Sequence, residues 1–185
     1  MAQRRFHYEQ AFEHYLRANR VPYVAVDEAR KALMPKAAGE STGGSLKSFD
    51  FVVYAPGRSL LVDVKGRQFG SIRAAMAGRS LSKARFESWV TREDVDDMAQ
   101  WETLFGDGFE AVFVFSYCLH QQPPDALFEE VFTFNGRWYA LREIPLSSYR
   151  NAMVERSASW GTVHLPAPAA ARLSRPFSVR SGTAA

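Results

Sequence analysis

The sequence predicts an α/β domain built on a mixed central sheet, and three observations carry that prediction. An amphipathic helix opens the chain, two β-branched and aromatic segments follow as a hairpin, and a continuous apolar run further on has the composition of a buried strand. Taken in order, the chain reads helix, three strands, helix, strand, with a second hairpin toward the C-terminus. At 185 residues and 46% hydrophobic, it is long enough to bury a substantial core as one domain, expected over residues 1–165.

Residues 5–19 set Tyr8, Ala11, Phe12, Tyr15 and Leu16 on one stripe at helical spacing, with Glu9 at its border and Glu13 one turn on. Val21 to Val26, after the break at Arg20-Val21-Pro22, reads as a short strand. Gly, Ser and Ala make residues 35–48 a flexible loop. Ser48–Tyr54 and Ser59–Lys65 are then joined by Ala55-Pro56-Gly57-Arg58, whose Pro-Gly pair has tight-turn chemistry. Thr91 and Asp94 form a capping box for a helix reaching about Leu104, with Val95, Met98 and Trp101 inward, and Gly106-Asp107-Gly108 stops it. Ala111–Cys118 is the buried-strand run. Val131–Phe134 and Arg137–Leu141 flank Asn135-Gly136, the pair that supplies the positive φ angles of a type I′ turn. Pro145–Met153 reads as a short helix. The tail, residues 166–185, is rich in Ala, Pro, Ser and Arg and is expected to be disordered.

The first hairpin carries the chemistry. A turn centred on Pro56 and Gly57 places Asp50 directly opposite Asp63, on a face they share with Lys65. The reverse face collects Phe49, Phe51, Val53, Leu60, Val62 and Val64, a purely apolar set that resists a slip of register. Like charges about 5 Å apart on a sheet are destabilising, so such a pair invites a shared proton or a cation between the carboxylates. Mg²⁺ and Mn²⁺ suit hard carboxylate donors, and a neighbouring lysine can steady developing negative charge.

Composition excludes several classes. No apolar run approaches the about 18 residues of a membrane span, and Met1 to His7 lacks the apolar stretch of a signal peptide. The single cysteine, Cys118, lies in the strand-like run as a small buried hydrophobe, and the chain reads as a reduced, cytoplasmic protein. His7, His14, His120 and His164 have no metal-ligand spacing. Trp101, Trp138 and Trp160 read as core residues, Trp138 with an alternative place on the surface of its hairpin.

The αβββαβ order, with a helix glutamate, Asp50 and Asp63-Val64-Lys65, resembles the PD-(D/E)XK nuclease superfamily over about residues 5–118, in particular its archaeal Holliday-junction-resolvase and RecB-like branch. The resemblance implies a restriction-endonuclease-like core and a Mg²⁺- or Mn²⁺-dependent hydrolysis of DNA phosphodiesters by water. It implies Asp50 and Asp63 as metal ligands and the Val64 carbonyl as a further one. Lys65 would act on the attacking water, and Glu9 would reach the metal through water, with Glu13 as the alternative. Phe49 stands where the superfamily's name has proline, and Gln100 is a candidate for the glutamine of some members' second helix. Separately, His7-Tyr8-Glu9-Gln10-Ala11-Phe12-Glu13 resembles, at every specified position, the motif after which the HYExAFE family is named.

Between Gly66 and Phe86 stand Arg67, Arg73, Arg79, Lys83 and Arg85 with no acidic residue. Together with Lys47 they are the candidates for sequence-independent contacts to a DNA backbone. A net charge of +3 does not by itself identify such a partner. A binding module that keeps the fold without turnover, and a partner-binding role for the hairpin at 131–141, are the alternatives to an enzyme. Cleavage of a junction would call for a two-fold homodimer.

Overall fold

The computed structural model describes residues 3–26, 46–69, 86–119 and 128–178. Its elements are α1 (Gln3–Ala18), β1 (Tyr23–Ala25), β2 (Phe51–Ala55), β3 (Arg58–Phe69), β4 (Val90–Thr91), α2 (Arg92–Phe105) and β5 (Phe109–Leu119). The chain continues with β6 (Phe132–Phe134), β7 (Arg137–Pro145), α3 (Leu146–Ala152), β8 (Val154–Ser157), β9 (Thr162–His164), α4 (Ala167–Leu173) and β10 (Arg175–Pro176). One mixed sheet runs β1-β2-β3-β5-β7-β10, with β6 paired to β7, and a small second sheet runs β4-β9-β8. The β3–β5 pair is parallel and runs from Ser59↔Phe109 to Phe69↔Leu119, while the other neighbours are antiparallel. The αβββαβ core, the mixed sheet and the second hairpin are those the sequence predicts.

The hairpin register is also as expected: Phe51 pairs Val62 and Ala55 pairs Arg58. Alternate residues feed two cores. Phe51, Val53, Leu60, Val62 and Val64 pack beneath Phe12, Tyr15 and Leu16 of α1. Val52 and Leu61 turn the other way, toward Val95 and Met98 of α2 and Leu146 and Tyr149 of α3. Both faces of the sheet are therefore covered, and Phe49 is not on the α1 face. A bend at Asp50 breaks the alternation, so Phe49 lies against Trp101 and Phe105, with ring centroids 5.4 and 5.7 Å away. The capping box forms as predicted, Thr91 Oγ1 accepting from the Asp94 amide and Asp94 from the Thr91 amide. At the second hairpin Asn135 and Gly136 take φ of 47° and 71°.

Two expectations are corrected. The tail is ordered through residue 178: α4 packs Ala170 into the core, β10 pairs with β7, and Phe177 is 2% exposed. Its composition is that of a flexible segment, but Ala170, Phe177, the β10–β7 pairing and an ion pair hold it. Phe177 meets Phe12 at 5.1 Å, and Arg175 joins Arg58 on the buried Glu143 carboxylate. Trp160 is not a core residue either; it stands 80% exposed beyond the end of β8, next to Gly161.

Removing the Phe177 ring opens a cavity between α1 and the sheet. Phe177→Ala is expected to cost about 3–5 kcal/mol, measured by urea denaturation.

Candidate metal and phosphate site

The site begins where β2 ends. β3 continues past its last antiparallel pair, so the Val64 amide has no strand partner on that side, and the Asp50 carboxylate accepts from it at 2.7 Å. The N–H and C=O of a strand residue point the same way, so the Val64 carbonyl faces this same open edge. Asp63 and Lys65, two residues apart, share the α2 face of β3, and the Lys65 ammonium lies 2.8 Å from an Asp63 oxygen. Asp63 is only 7% exposed.

A residue outside the sheet completes this group. Asp94, at the third position of α2, holds Lys65 at 3.0 Å through Oδ2 and Lys47 at 2.6 Å through Oδ1. Sequence reasoning placed Asp94 only as a helix cap. Nothing in linear spacing connects it to Lys65, because the contact depends on how α2 docks on the sheet.

Burial, then the charge of Asp63, then that of Glu9 push the Asp50 carboxyl well above the usual carboxylate range, against the opposing Val64 amide and Lys65. Burial likewise raises Asp63, with Lys65 opposing and Asp94 adding to the rise. Burial works against the Lys65 ammonium, but Asp63 and Asp94 outweigh it and keep its pKa above the ordinary lysine value. For Asp94, burial is outweighed by the charge of Lys65 and by hydrogen bonds from Lys47, Lys65 and Thr91, so this carboxyl lies well below the usual range.

Of the two helix glutamates, Glu9 is the one whose charge acts on Asp50. Glu13 is turned away, accepting from Arg17 at 2.7 Å and from the Tyr23 hydroxyl at 2.6 Å. The ring of Tyr8 packs against Gly66, where a Cβ would collide with it, and the Tyr8 hydroxyl accepts from Gln68 at 3.0 Å. This close approach seats the start of α1, and hence Glu9, against β3 just beyond Lys65. Neighbouring His7 meets the Tyr139 hydroxyl at 2.9 Å, which leaves it no part in the carboxylate group. Gln100 is on the exposed side of α2.

The basic candidates divide. Lys47 is half-exposed and tethered to Asp94. Arg67 is corrected: it is 8% exposed, its guanidinium donates to the carbonyls of Gly66 and Trp89, and it lies 4.0 Å over the Trp89 ring. Those bonds and its burial withdraw it from a phosphate. Arg73, Arg79, Lys83 and Arg85 fall outside the described residues. In the 131–141 hairpin Tyr139, Ala140 and Leu141 are buried, while residues 131–138 are partly or fully exposed.

Among the described residues, no group of three or more His, Cys, Asp or Glu side chains converges at ligand spacing. The residues present nevertheless fit a hard divalent cation. Mg²⁺ keeps several waters and is commonly bound by one or two carboxylates together with substrate phosphate. Here the charge of Asp63 pushes the Asp50 carboxyl up, and a cation between them would relieve that repulsion.

No family model matches the chain, and no curated protein matches it significantly. The resemblance to the HYExAFE family therefore rests on residues 7–13 alone. Among solved structures, the Holliday junction resolvase Hjc of the archaeal hyperthermophile Archaeoglobus fulgidus shares the architecture. It has a TM-score of 0.50 and 12% identity, over 93% of this chain and 95% of that one. At that identity the likeness is one of fold, and it establishes the restriction-endonuclease-like class. No described helix is long and apolar enough to cross a membrane.

A carboxyl whose folded pKa is raised contributes stability at low pH and loses it as pH rises through that pKa. In EDTA, Asp50→Asn is therefore expected to melt about 3 °C above the wild type near pH 8, with the gap closing only as pH falls to about 4, the ordinary aspartate value. Added Mg²⁺ or Mn²⁺ raises the melting temperature of the wild type alone. Thermal melts across pH, with and without metal, check both. Gly66→Ala is expected to cost about 1–3 kcal/mol by driving the Tyr8 ring off β3. Most of that cost vanishes in the Tyr8→Ala background, a coupling read from a double-mutant cycle of denaturant melts.

Proposed function

We propose that the protein is a divalent-metal-dependent nuclease of the PD-(D/E)XK type, hydrolysing DNA phosphodiesters with water as nucleophile. The observation that carries this reading is the Asp50–Asp63–Lys65 group at the open edge of β3, with Asp63 buried and Asp50 and Lys65 partly so, on a fold shared with a Holliday junction resolvase. Asp50 and Asp63 would hold Mg²⁺ or Mn²⁺, with the Val64 carbonyl as a backbone donor. When bound, the cation lowers the pKa of a water and neutralises phosphate charge.

The chain's own residues supply the rest. The Lys65 ammonium stays protonated between two carboxylates, so it offers a fixed positive charge and N–H donors to a phosphate oxygen as negative charge develops there. Glu9, on α1, adds a third carboxylate to the field at Asp50 and suits a contact to the cation through water. Lys47, half-exposed beside the site, supports backbone contact with DNA that carries no sequence information. Arg73, Arg79, Lys83 and Arg85 are proposed for the same role from sequence alone. The HYExAFE grouping belongs to this proposal too, since the motif's Glu9 is the helix glutamate whose charge acts on Asp50. Were the substrate a four-way junction, two-fold symmetry would call for a homodimer.

The test is cleavage of linear, branched and single-stranded DNAs with Mg²⁺ and with Mn²⁺, comparing wild type with Asp63→Ala. Metal-dependent cutting by the wild type that disappears in the variant is expected. Folded wild type that binds DNA in a salt-sensitive way yet cuts no substrate would instead identify a binding module on the nuclease fold.

A further inference from the structure

We propose that Asp94 is a positioning residue for this site. From the first turn of α2 it holds the Lys65 ammonium beside Asp63, facing the phosphate to be cleaved. The functional half of this inference rests on the nuclease reading above; the structural half stands on its own geometry.

A helix cap needs none of what surrounds Asp94. An acidic residue at the third helical position ordinarily reaches back to the N-cap amide from a solvated surface. Asp94 makes that bond, accepting from Thr91 at 3.1 Å, but it is 6% exposed and both of its oxygens are also engaged by lysines. The same Oδ2 that caps the helix receives Lys65 at 3.0 Å. The reciprocal bond from the Asp94 amide to Thr91 Oγ1, at 3.0 Å, fixes the backbone from which the carboxylate projects. Asp94 is thus immobilised before it meets the lysine.

Lys65 needs such an anchor. Its four-carbon stem has large rotamer freedom, and its other partner, Asp63, is the residue assigned to the cation. An ammonium tethered to Asp63 alone would lose part of its hold whenever that carboxylate turned to a metal. Asp94, on a separate element, keeps the ammonium in place through that change. Lys47 on Oδ1 offsets the remaining charge of Asp94, so the group alternates in sign from Lys47 through Asp94 and Lys65 to Asp63.

Asp94→Asn keeps an oxygen for the Thr91 amide and removes the charge. On the DNA that the wild type cuts, kcat is expected to fall about 10- to 100-fold with no rise in KM, as for a contact used in the transition state. Met98→Ala, one turn further along α2, destabilises the helix packing without touching the ion pairs and is expected to hold kcat within about twofold. Asp94→Glu keeps both charge and cap, and its kcat should lie between those of the wild type and Asp94→Asn.

A second readout does not depend on turnover. Limited acetylation with acetic anhydride, quantified by mass spectrometry, should modify Lys65 several-fold faster in Asp94→Asn than in the wild type or in Asp94→Glu. Unchanged Lys65 labelling in folded Asp94→Asn overturns the inference, as does an unchanged kcat. If the wild type cuts no DNA while the labelling moves as expected, the nuclease reading fails and the hold of Asp94 on Lys65 survives. Should Asp94→Asn not fold, Asp94→Glu decides, because wild-type kcat from a carboxylate displaced by one methylene would rule out a positional role.

Discussion

The early end of β2 is the constraint from which the site follows. β3 runs on for seven residues past Val62, its last partner in the hairpin, while β5 stays paired along its other side. The strand therefore enters the interior with one edge open, and a buried amide without an acceptor costs too much to leave. Asp50 supplies the acceptor at Val64. The same bend that frees Asp50 to do so turns Phe49 into the α2 core. One interruption of the ladder thus produces a partly buried carboxylate, a carbonyl at the open strand edge and a shift of core register together.

That arrangement brings a second carboxylate into a space already holding Asp63, and the protein compensates unevenly. Asp63 has Lys65, and Lys65 has Asp94, so these charges alternate. Asp50 has the neutral Val64 amide as its donor, and the charge of Lys65 counts for less there than burial and the fields of Asp63 and Glu9. The deficit of positive charge is local to the Asp50 side, which is where a hard cation gains most. Burial strengthens this argument, because repulsion between carboxylates falls off less in a poorly hydrated interior than at a surface. A sheet face with scattered solvated charges would carry no such imbalance.

Much of this was legible in the sequence, and what was missed has physical reasons. The Pro56-Gly57 turn and the apolar alternation determine register locally, so the neighbourhood of Asp50 and Asp63 could be read without a structure. Phe49 could not, since a bend just before a strand leaves no mark on the period-2 pattern. Asp94 was hidden by a sufficient local explanation: its capping role is real, and its second role depends on helix docking. The basic run gave a charge count without positions, and Arg67 shows the difference, since a buried guanidinium over Trp89 serves the core. The tail misled by composition, because a segment poor in large apolar residues can still be held by one well-seated ring together with strand pairing and an ion pair. Phe177 is that ring.

The parts of the site are fixed by unrelated contacts. Tyr8 on Gly66 seats Glu9, the Val64 amide aims Asp50, and the α2 cap locates Asp94 and through it Lys65. Each tie is made by residues that are spent once it forms, and each joins segments distant in sequence. On the nuclease reading proposed above, groups held this way would have little reorganisation left to undergo when a substrate arrives, the condition under which fixed charges stabilise a transition state better than water does. The motif's acidic residues and lysine are therefore only half of the design. The other half is the glycine, the aromatic ring, the strand end and the helix cap, which decide where those charges point.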